Sequence, residues 1–413
     1  MQRNFRQLYA DVFWYGLLSG SAIAFVTIFA ARLGATSFQI SLLAAGPAVV
    51  NLLVSLPAGL WLANRPAIRV TYRAAMLHRF GYLLLIPLPW LFGENTQIWA
   101  LILITLAMSL PGAILAISFN ALFAEVVPPD WRGEVVGRRN ALMSISMVIS
   151  TLLCGQLLDR IVFPTNYQLV FAIGVVGAAF STYHLGRLRL DQAPAVFNDP
   201  PPGELPDGLD QLQPVGSGRT SPARAIRSML RIDLLRTSFG TFLAVYLIFY
   251  IFQNMPLPLF PLVFVNELEL SDGVISLGST LFYLAMTLIS LGLGRLSRRY
   301  GHYHMLVTGG LLYGLYPLII GLARGAPLYY TASVVGGLVW GITSASLLNR
   351  LMEKAPEDER SASMALHNLV LNFGVLTGSL SGPLLAEVAG LQEALLIAAG
   401  LRLLAGILLK IWG

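Results

Sequence analysis

The chain contains about a dozen apolar runs, each near 20 residues long. Such a run can cross roughly 30 Å of hydrocarbon as an α-helix, the form in which a segment satisfies its own backbone polar groups. Hydrophobic residues make up 56% of the chain and charged residues 12%, whereas a soluble domain has about 25% charged residues. The sequence therefore predicts an all-α membrane protein.

Twelve transmembrane helices are predicted, near 13–33, 38–62, 73–92, 97–122, 138–158, 166–186, 238–264, 274–294, 303–323, 327–349, 363–386 and 391–412. The first run is too long for the apolar part of a signal peptide, so we interpret it as a retained span. An even number of spans places both termini on the same side of the bilayer.

The distribution of arginine predicts which side this is. Arginines such as Arg65 and Arg132 recur in alternate loops, whereas the opposite loops contain only Arg32, Arg160 and Arg324. By the positive-inside rule, both termini are cytoplasmic. This topology accounts for the net charge of +6, so no nucleic-acid partner is expected. Arginine far outnumbers lysine, which favours a prokaryotic source and hence the inner membrane.

A stretch of the sequence occurs twice, 228 positions apart. Five residues of the first copy recur in the second: Glu125, Pro128, Asp130, Arg132 and Asn140 correspond to Glu353, Pro356, Asp358, Arg360 and Asn368. Each copy leads into a helix with small residues at every fourth position: Ser146, Ser150 and Cys154 in the first, and Gly374, Gly378 and Gly382 in the second. The repeat predicts two pseudo-symmetric six-helix bundles, at 1–189 and 238–413, with a site between them.

The segment 190–222 separates the two halves. It contains seven prolines and four glycines and is too polar to bury a core, so it is expected to be a cytoplasmic linker. Residues 223–237 place Arg224, Arg227 and Arg231 on one helical face, which indicates either an amphipathic helix on the inner leaflet or the start of the seventh span.

Two loops resemble a motif of the major facilitator superfamily. Residues 294–301, Gly-Arg-Leu-Ser-Arg-Arg-Tyr-Gly, are similar to its G-x-L-x-D-R-x-G loop, and residues 62–65, Leu-Ala-Asn-Arg, to the L-A-D-R core of the same motif. A P-x-x-W-R-G sequence at 128–133, the twelve spans and the repeat extend the resemblance over the whole chain. It implies the superfamily fold, with transport by alternating access.

The chain departs from this motif at its acidic position, which holds Asn64 in one half and Arg298 in the other. The usual cytoplasmic latch is therefore in doubt, and we expect the pairs Arg65–Glu125 and Arg299–Glu353 to replace it. The predicted cytoplasmic gate comprises Asn64, Arg65, Glu125, Arg132, Arg298, Arg299, Glu353 and Arg360. Solvated charges without partners are the alternative.

The resemblance implies that spans two, five, eight and eleven form the contact between bundles. The small-residue faces of spans five and eleven are therefore expected to lie at that contact, where small residues let helix backbones approach closely. Packing of these faces inside one bundle is the alternative.

The resemblance also implies a cavity lined by spans one, four, seven and ten. Polar and aromatic residues at helical spacing in these spans are its expected lining: Tyr15, Ser19, Thr27, Thr105, Ser109, Asn120, Tyr246, Tyr250, Gln253, Asn254, Ser333, Trp340 and Ser344. Pro256, Pro258 and Pro261 are expected to interrupt span seven. Ordinary packing residues are the alternative for each.

Charged or titratable residues inside a span are costly and usually mark function. The sequence places four there, His78, Arg79, His367 and Arg402, and no Asp or Glu well within any span. A neutral, amphipathic or anionic solute is therefore expected. Alternatively, Arg79 extends to the interface and Arg402 binds backbone carbonyls.

We predict a monomeric, multi-pass secondary transporter of a small molecule, with a proton as a possible coupling ion. The chain lacks a phosphate-binding loop and shows no convincing metal-ligand spacing, so neither an enzyme, a cofactor nor a metal is expected. A lipid flippase of the same fold and a sensor or scaffold without transport remain the alternatives.

Overall fold

The computed structural model describes residues 2–62, 65–189, 231–356 and 359–413, and every regular element in these ranges is a helix. The N-terminal half has six long helices: α1 (Gln2–Arg32), α2 (Ser37–Leu62), α3 (Ala67–Leu83), α4 (Glu94–Val126), α5 (Pro129–Arg160) and α6 (Thr165–Leu185). A π-helical turn, Ser19–Ile23, lies within α1, and a short helix, Leu88–Leu91, follows α3.

The C-terminal half begins with a 3-10 helix, Ile232–Arg236, and continues with α7 (Ser238–Glu267). The stretch Asp272–Leu312 contains two helices, because Gly301 has a positive φ of 77° that interrupts the helix. Helix α8 is 272–300. Helix α9 is 302–312 and continues in the short helix Leu315–Gly321. The remaining helices are α10 (Ala326–Lys354), α11 (Arg360–Ala389) and α12 (Leu391–Trp412).

Prolines interrupt α7 as predicted. Its regular part ends at Asn254, and a turn containing Pro256 and Pro258 separates it from Leu259–Leu262. A proline has no backbone N–H to donate and its ring clashes with the preceding turn, which explains the break.

Ten stretches of the described chain are long and apolar enough to cross a membrane. One of them, Asp272–Gly321, contains both α8 and α9. Helix α3 is not among them, because it has only 17 residues and contains Arg69, Arg73, His78 and Arg79. All twelve predicted helices are thus present. That each of them crosses the membrane stays a prediction.

The two halves use the same helix pairs. In the N-terminal half α1 packs against α5 and α6, and α2 packs against α4; in the C-terminal half α7 packs against α11 and α12, and α8 against α10. Helix α3 contacts α6 as α9 contacts α12. The fold is therefore two pseudo-symmetric bundles, as the repeat predicted.

The apolar core differs between the two ends of the molecule. We call the end where α1 begins and α12 ends the terminal end, and the opposite end, with the α1–α2 and α7–α8 turns, the distal end. Near the distal end one core contains residues of both bundles, such as Phe29 and Phe264. Toward the terminal end each bundle has a core of its own, around Leu8 in one and Phe242 in the other. The apolar core that the two bundles share therefore lies near the distal end.

The predicted contact between bundles is present, because α2 packs against α11 and α5 against α8. The small-residue faces of α5 and α11 do not form it, so that part of the prediction was wrong. Ser146 and Ser150 donate hydrogen bonds to the carbonyls of Phe13 and Leu17 on α1, which belongs to the same bundle. In the other half, an added Cβ at Gly374, Gly378 or Gly382 would lie within 2.5 Å of α7. Small residues permit close approach to any neighbouring helix, and here the neighbour is inside each bundle.

Several predicted features lie outside the described residues: Ala63, Asn64, the linker at 190–222, the first part of the 223–237 segment and Asp358, together with the side chain of Arg360. The surface-helix prediction for 223–237 therefore stays a prediction.

Candidate functional site

The N-terminal bundle contains a cavity of about 590 Å³ between α1, α2, α3 and α4. Four of the predicted cavity residues line it, namely Tyr15, Thr27, Thr105 and Ser109. His78 and Arg79 of α3 also face this space, and so does Asn51 of α2. Its wall is otherwise mainly apolar, as expected for a small-molecule site.

A carboxylate between two arginines lies in the wall of this cavity. Asp11 is 4% exposed, and its Oδ1 accepts a hydrogen bond of 2.6 Å from the Ser181 hydroxyl. Arg79 Nη2 lies 3.5 Å from the same oxygen, and Arg139 Nη2 lies 3.8 Å from Oδ2. Thr182 Oγ1 accepts a further bond of 2.9 Å from Arg79. The cluster therefore holds two guanidinium groups against one carboxylate.

The expectation that no acidic residue lies within a span was wrong, because α1 begins at Gln2 and carries Asp11 into the bundle. The segment before residue 13 is polar enough to look like a loop, yet Leu8, Asp11, Val12 and Tyr15 have helical spacing and share a face. This spacing was the available signal. The burial of Asp11 also depends on Arg79 and Arg139, which are remote in sequence.

The C-terminal bundle contains a second cavity, of about 370 Å³, between α7, α8, α9 and α10. Four predicted residues line it, namely Gln253, Asn254, Ser333 and Trp340. Aromatic rings make up much of the remaining wall: Phe260, Phe264, Phe282, Tyr283, Tyr313, Tyr316 and Tyr329. No carboxylate is found among the described residues of this wall.

Arg402 of α12 closes one side of the second cavity and is 3% exposed. Its guanidinium donates to the backbone carbonyls of Phe252, Gln253 and Tyr313, and it lies 4.7 Å from the centre of the Tyr313 ring. The helix break in α7 leaves the carbonyls of Phe252 and Gln253 available, so they can solvate the charge together with the Tyr313 carbonyl of α9. Arg402 thus makes the backbone contacts that the sequence left open as an alternative.

The other predicted cavity residues do not line either cavity. Ser19 is buried within α1, and Asn120 is exposed on α4. Tyr246 donates a hydrogen bond of 3.1 Å to the Leu347 carbonyl, and Tyr250 is hydrogen-bonded to His367 at 2.8 Å. Ser344 is partly buried on α10 outside the cavity wall. Apart from the exposed Asn120, these side chains contribute to packing inside their bundles.

At the distal end, polar contacts link the bundles. Arg32 Nη2 at the end of α1 lies 3.0 Å from Asp272 Oδ1 at the start of α8, and it donates to the Leu270 carbonyl. Asp159 of α5 accepts hydrogen bonds from the Gly273 N–H at 2.9 Å and the Ser271 hydroxyl at 3.2 Å.

Farther along the same helices, the Ser276 hydroxyl of α8 donates to the Thr151 carbonyl of α5, and an added Cβ on Gly155 would lie 2.2 Å from the Ser276 side chain. Within the described ranges, every hydrogen bond and ion pair between the bundles belongs to this distal group.

Comparison with known proteins identifies the fold family. The sequence profile of the Major Facilitator Superfamily matches residues 12–257 and 242–413. The chain belongs to the major facilitator superfamily. It is therefore a membrane transporter in family and fold, not an enzyme, and the resemblance noted in its loop motifs is confirmed.

Solved structures of the superfamily share the fold. A bacterial homologue of the iron transporter ferroportin, in an inward-facing state, has a TM-score of 0.74 at 15% identity, covering 100% of this chain and 99% of that one. The nucleoside transporter NupG has a TM-score of 0.69 at 13% identity, covering 99% and 98%. A D-xylose-proton symporter has a TM-score of 0.69 at 13% identity, covering 98% and 96%. No curated protein matches the sequence.

The superfamily loop motifs lie at the terminal end, and the expected ion pairs do not form there in this structure. Arg65 lies over the Trp61 ring at 4.2 Å, and Arg299 lies over Tyr300 at 5.4 Å. Glu353 pairs instead with Arg350 at 3.0 Å. Arg132 donates to the carbonyls of Ala124 and Val127, whereas Glu125 and Arg298 are exposed.

Proposed function

We propose that this chain is a secondary transporter that moves a small neutral, amphipathic or anionic solute by alternating access between its two bundles. The observation that carries the proposal is one cavity in each bundle, together with hydrogen bonds, an ion pair and a shared apolar core between the bundles at the distal end. In transporters of this architecture the solute site lies near the midplane between the repeats, and the bundles rock about it.

The charge of the two cavities supports this class of solute. The N-terminal cavity has Arg79 and Arg139 against Asp11, and the C-terminal cavity has Arg402. Because Asp11 lies in the wall of the N-terminal cavity, an absence of negative charge no longer supports this class of solute. The excess of guanidinium groups still favours an anion or a neutral solute over a cation, because a second positive charge in a poorly solvated site is costly.

The distribution of positive charge supports an orientation in which the terminal end faces the cytoplasm, with both termini there, in the inner membrane of a prokaryote. With the shared apolar core near the distal end, the site then opens to the cytoplasm. A monomer suffices, because both cavities belong to one chain.

Asp11 is our candidate for the residue that controls solute binding in the N-terminal cavity. It is the only carboxylate that the described residues place in the wall of either cavity, and two arginines and a serine contact it. Displacement of the Asp11 carboxylate by an anionic solute would let both guanidinium groups bind the solute instead.

A binding screen followed by a transport assay tests the function. Purified protein is screened by thermal shift against neutral, anionic and cationic amphiphiles at two pH values, and the stabilising compounds are used for counterflow in proteoliposomes. We expect stabilisation by neutral or anionic compounds, and counterflow of at least one of them. Preferential stabilisation by cations contradicts the proposed class, and binding without counterflow of any compound contradicts transport.

A further inference from the structure

A groove lies on the outer surface of the N-terminal bundle, at the terminal end. The beginning of α3 and the end of α6 line it, and its volume is about 420 Å³. Six residues form its wall: Ile68, Arg69, Tyr72, Tyr183, Gly186 and Arg187. None of these six lines the cavity between α1, α2, α3 and α4, so the groove is a separate place on the molecule.

The two arginines of the groove have no acidic partner in the described part of the chain. Arg69 and Arg187 are exposed, and neither makes an ion pair with a residue in the described ranges. Arg187 lies over the Tyr183 ring, 4.4 Å from its centre, which holds this guanidinium beside the groove. The groove therefore presents two positive charges to its occupant, and an anion suits it best.

A close contact between α3 and α6 forms the floor of the groove. Gly186 lies against the Tyr72 ring, since a Cβ on this glycine would come within 2.7 Å of Tyr72 Cε2. Tyr72 and Tyr183 are 39% and 49% exposed, so their hydroxyl groups can donate to an anion in the groove. Tyrosine is enriched at the boundary of the bilayer, where its ring lies in the apolar layer and its hydroxyl among the headgroups.

Apolar side chains continue from the groove along the outer faces of both helices. They are exposed on the protein surface and recur at helical spacing: Tyr72, Met76, Phe80 and Leu83 on α3, and Val176, Phe180 and Tyr183 on α6. Because the chain belongs to a family of membrane transporters, acyl chains cover such faces. The groove is thus continuous with a surface for acyl chains.

The corresponding helix ends of the C-terminal bundle are bonded to each other directly. Helices α9 and α12 contact one another as α3 and α6 do. The Tyr303 hydroxyl of α9 donates to the Lys410 carbonyl of α12 at 2.6 Å, and Arg350 lies over the Tyr303 ring at 5.1 Å. We therefore expect one ligand of the groove for each chain.

We propose that the groove binds an anionic phospholipid, with the phosphate between Arg69 and Arg187 and the acyl chains along the outer faces of α3 and α6. Basic pockets between transmembrane helices on the cytoplasmic side bind acidic headgroups, and arginine suits phosphate because its planar fork matches two oxygens. The proposal uses the proposed orientation, in which the terminal end lies at the inner leaflet. It does not depend on transport.

The test measures lipid binding to purified, delipidated full-length protein by native mass spectrometry. The probes are phosphatidylglycerol and phosphatidylcholine with the same acyl chains, and glycerol 1-phosphate is the competitor. We expect phosphatidylglycerol to have a dissociation constant about 10-fold or more below that of phosphatidylcholine, because its headgroup has a net negative charge. An equimolar amount of glycerol 1-phosphate should not displace it, because the competitor lacks acyl chains.

Two double variants locate the site. Arg69→Gln with Arg187→Gln should weaken phosphatidylglycerol binding about 5-fold for each arginine, or about 30-fold together. The matched control is Arg236→Gln with Arg295→Gln. It removes the same charge from two exposed arginines at the same end of the molecule, in the C-terminal half. The control should change the dissociation constant less than about 2-fold, because surface charge remote from the groove contributes little.

A second measurement uses the unmodified protein. Phosphatidylglycerol with a photoreactive group in its acyl chain should label peptides around Met76 of α3 and Phe180 of α6. We expect this labelling to exceed that by phosphatidylcholine carrying the same group, because only the anionic headgroup is held by the arginines.

Three results of the binding experiment would overturn the lipid site. They are equal dissociation constants for the two lipids, equal losses in the groove and control variants, and displacement of phosphatidylglycerol by equimolar glycerol 1-phosphate, which would indicate a site for a free phosphate ester. Equal labelling of α3 and α6 by the two photoreactive lipids would overturn it even if the double variant does not fold. Each of these results leaves the transport proposal standing, because counterflow measures transport separately.

Discussion

The ion pair between Arg32 and Asp272 should help to hold the distal end closed, and Asp272→Asn should open it. The Asp272 side chain is 9% exposed and the Arg32 side chain 25%, so solvent screens this pair less than a surface pair. Exposed pairs contribute about 0–1 kcal/mol, while hydrogen bonds to charged groups contribute about 1.5–3 kcal/mol. Asp272→Asn leaves the bond from Arg32 to the Leu270 carbonyl intact. We therefore expect the variant to lose about 2 kcal/mol of the free energy that stabilises the distally closed state.

A loss of about 2 kcal/mol changes a two-state equilibrium about 30-fold. If the distally open state is populated at about 1% in the unmodified protein, it should rise to about one fifth in the variant. The shift requires that the pair be absent from the distally open state, which follows because α1 and α8 belong to different bundles.

Distances between spin labels measure this change. Labels are attached to Val162→Cys, at the α5–α6 turn, and Val388→Cys, near the end of α11, which are 81% and 89% exposed. The one native cysteine, Cys154, is buried and can be replaced by serine to remove background. We expect Asp272→Asn to add a longer-distance population.

Glu94→Gln is the matched control, since Glu94 is also an acidic residue in the first turn of a distal helix but is exposed and lies on α4. An unchanged distance distribution in Asp272→Asn, or the same change in Glu94→Gln, would refute a holding role for the pair. Exchange of the two charges, Arg32→Asp with Asp272→Arg, should restore part of the short-distance population.

Three further predictions concern packing and the charged cluster. Gly378→Ala should lower the melting temperature of the purified protein, because its Cβ would meet the α7 backbone at 2.3 Å and overpacking costs about 1–3 kcal/mol; Gly400→Ala, with open space around it, should not. Asp11→Asn removes the one carboxylate beside Arg79 and Arg139, so we expect a loss of stability of about 3–5 kcal/mol in denaturant unfolding; unchanged stability would exclude Asp11 as the residue that balances the two guanidinium groups. Gly155→Ala should lengthen the distal label distance, since its Cβ would clash with Ser276; the Gly400→Ala protein should keep the unmodified distance.

The sequence was sufficient for the architecture, because long apolar runs have few alternatives to helices in a bilayer and the repeat relates one half to the other. Pro256 and Pro258 also located the break in α7 correctly. These features follow from short stretches of sequence alone: a helix satisfies the hydrogen bonds of its own backbone in the bilayer, and proline has no N–H to donate.

The partners of individual side chains were less predictable. Gly378 was correctly recognised as a position of close helix approach, but its spacing carries no information about which helix approaches. Asp11 was missed because its burial depends on two arginines 68 and 128 positions away. Half of the expected cavity residues in α7, Gln253 and Asn254, line the cavity, whereas Tyr246 and Tyr250 lie on the packed side of the same helix.

The side-chain-to-backbone bonds that fix α5 to α1, and the glycine contacts that fix α11 to α7, make it difficult for these helices to slide past one another. Each bundle should therefore keep its own cavity in both transport states. A ligand confined to one cavity would bind both states equally, and equal affinity shifts no equilibrium. Such a ligand would bind without favouring either conformation. A molecule that spans both cavities could trap one conformation. Inhibitors of this transporter should therefore be sought among molecules that span both cavities.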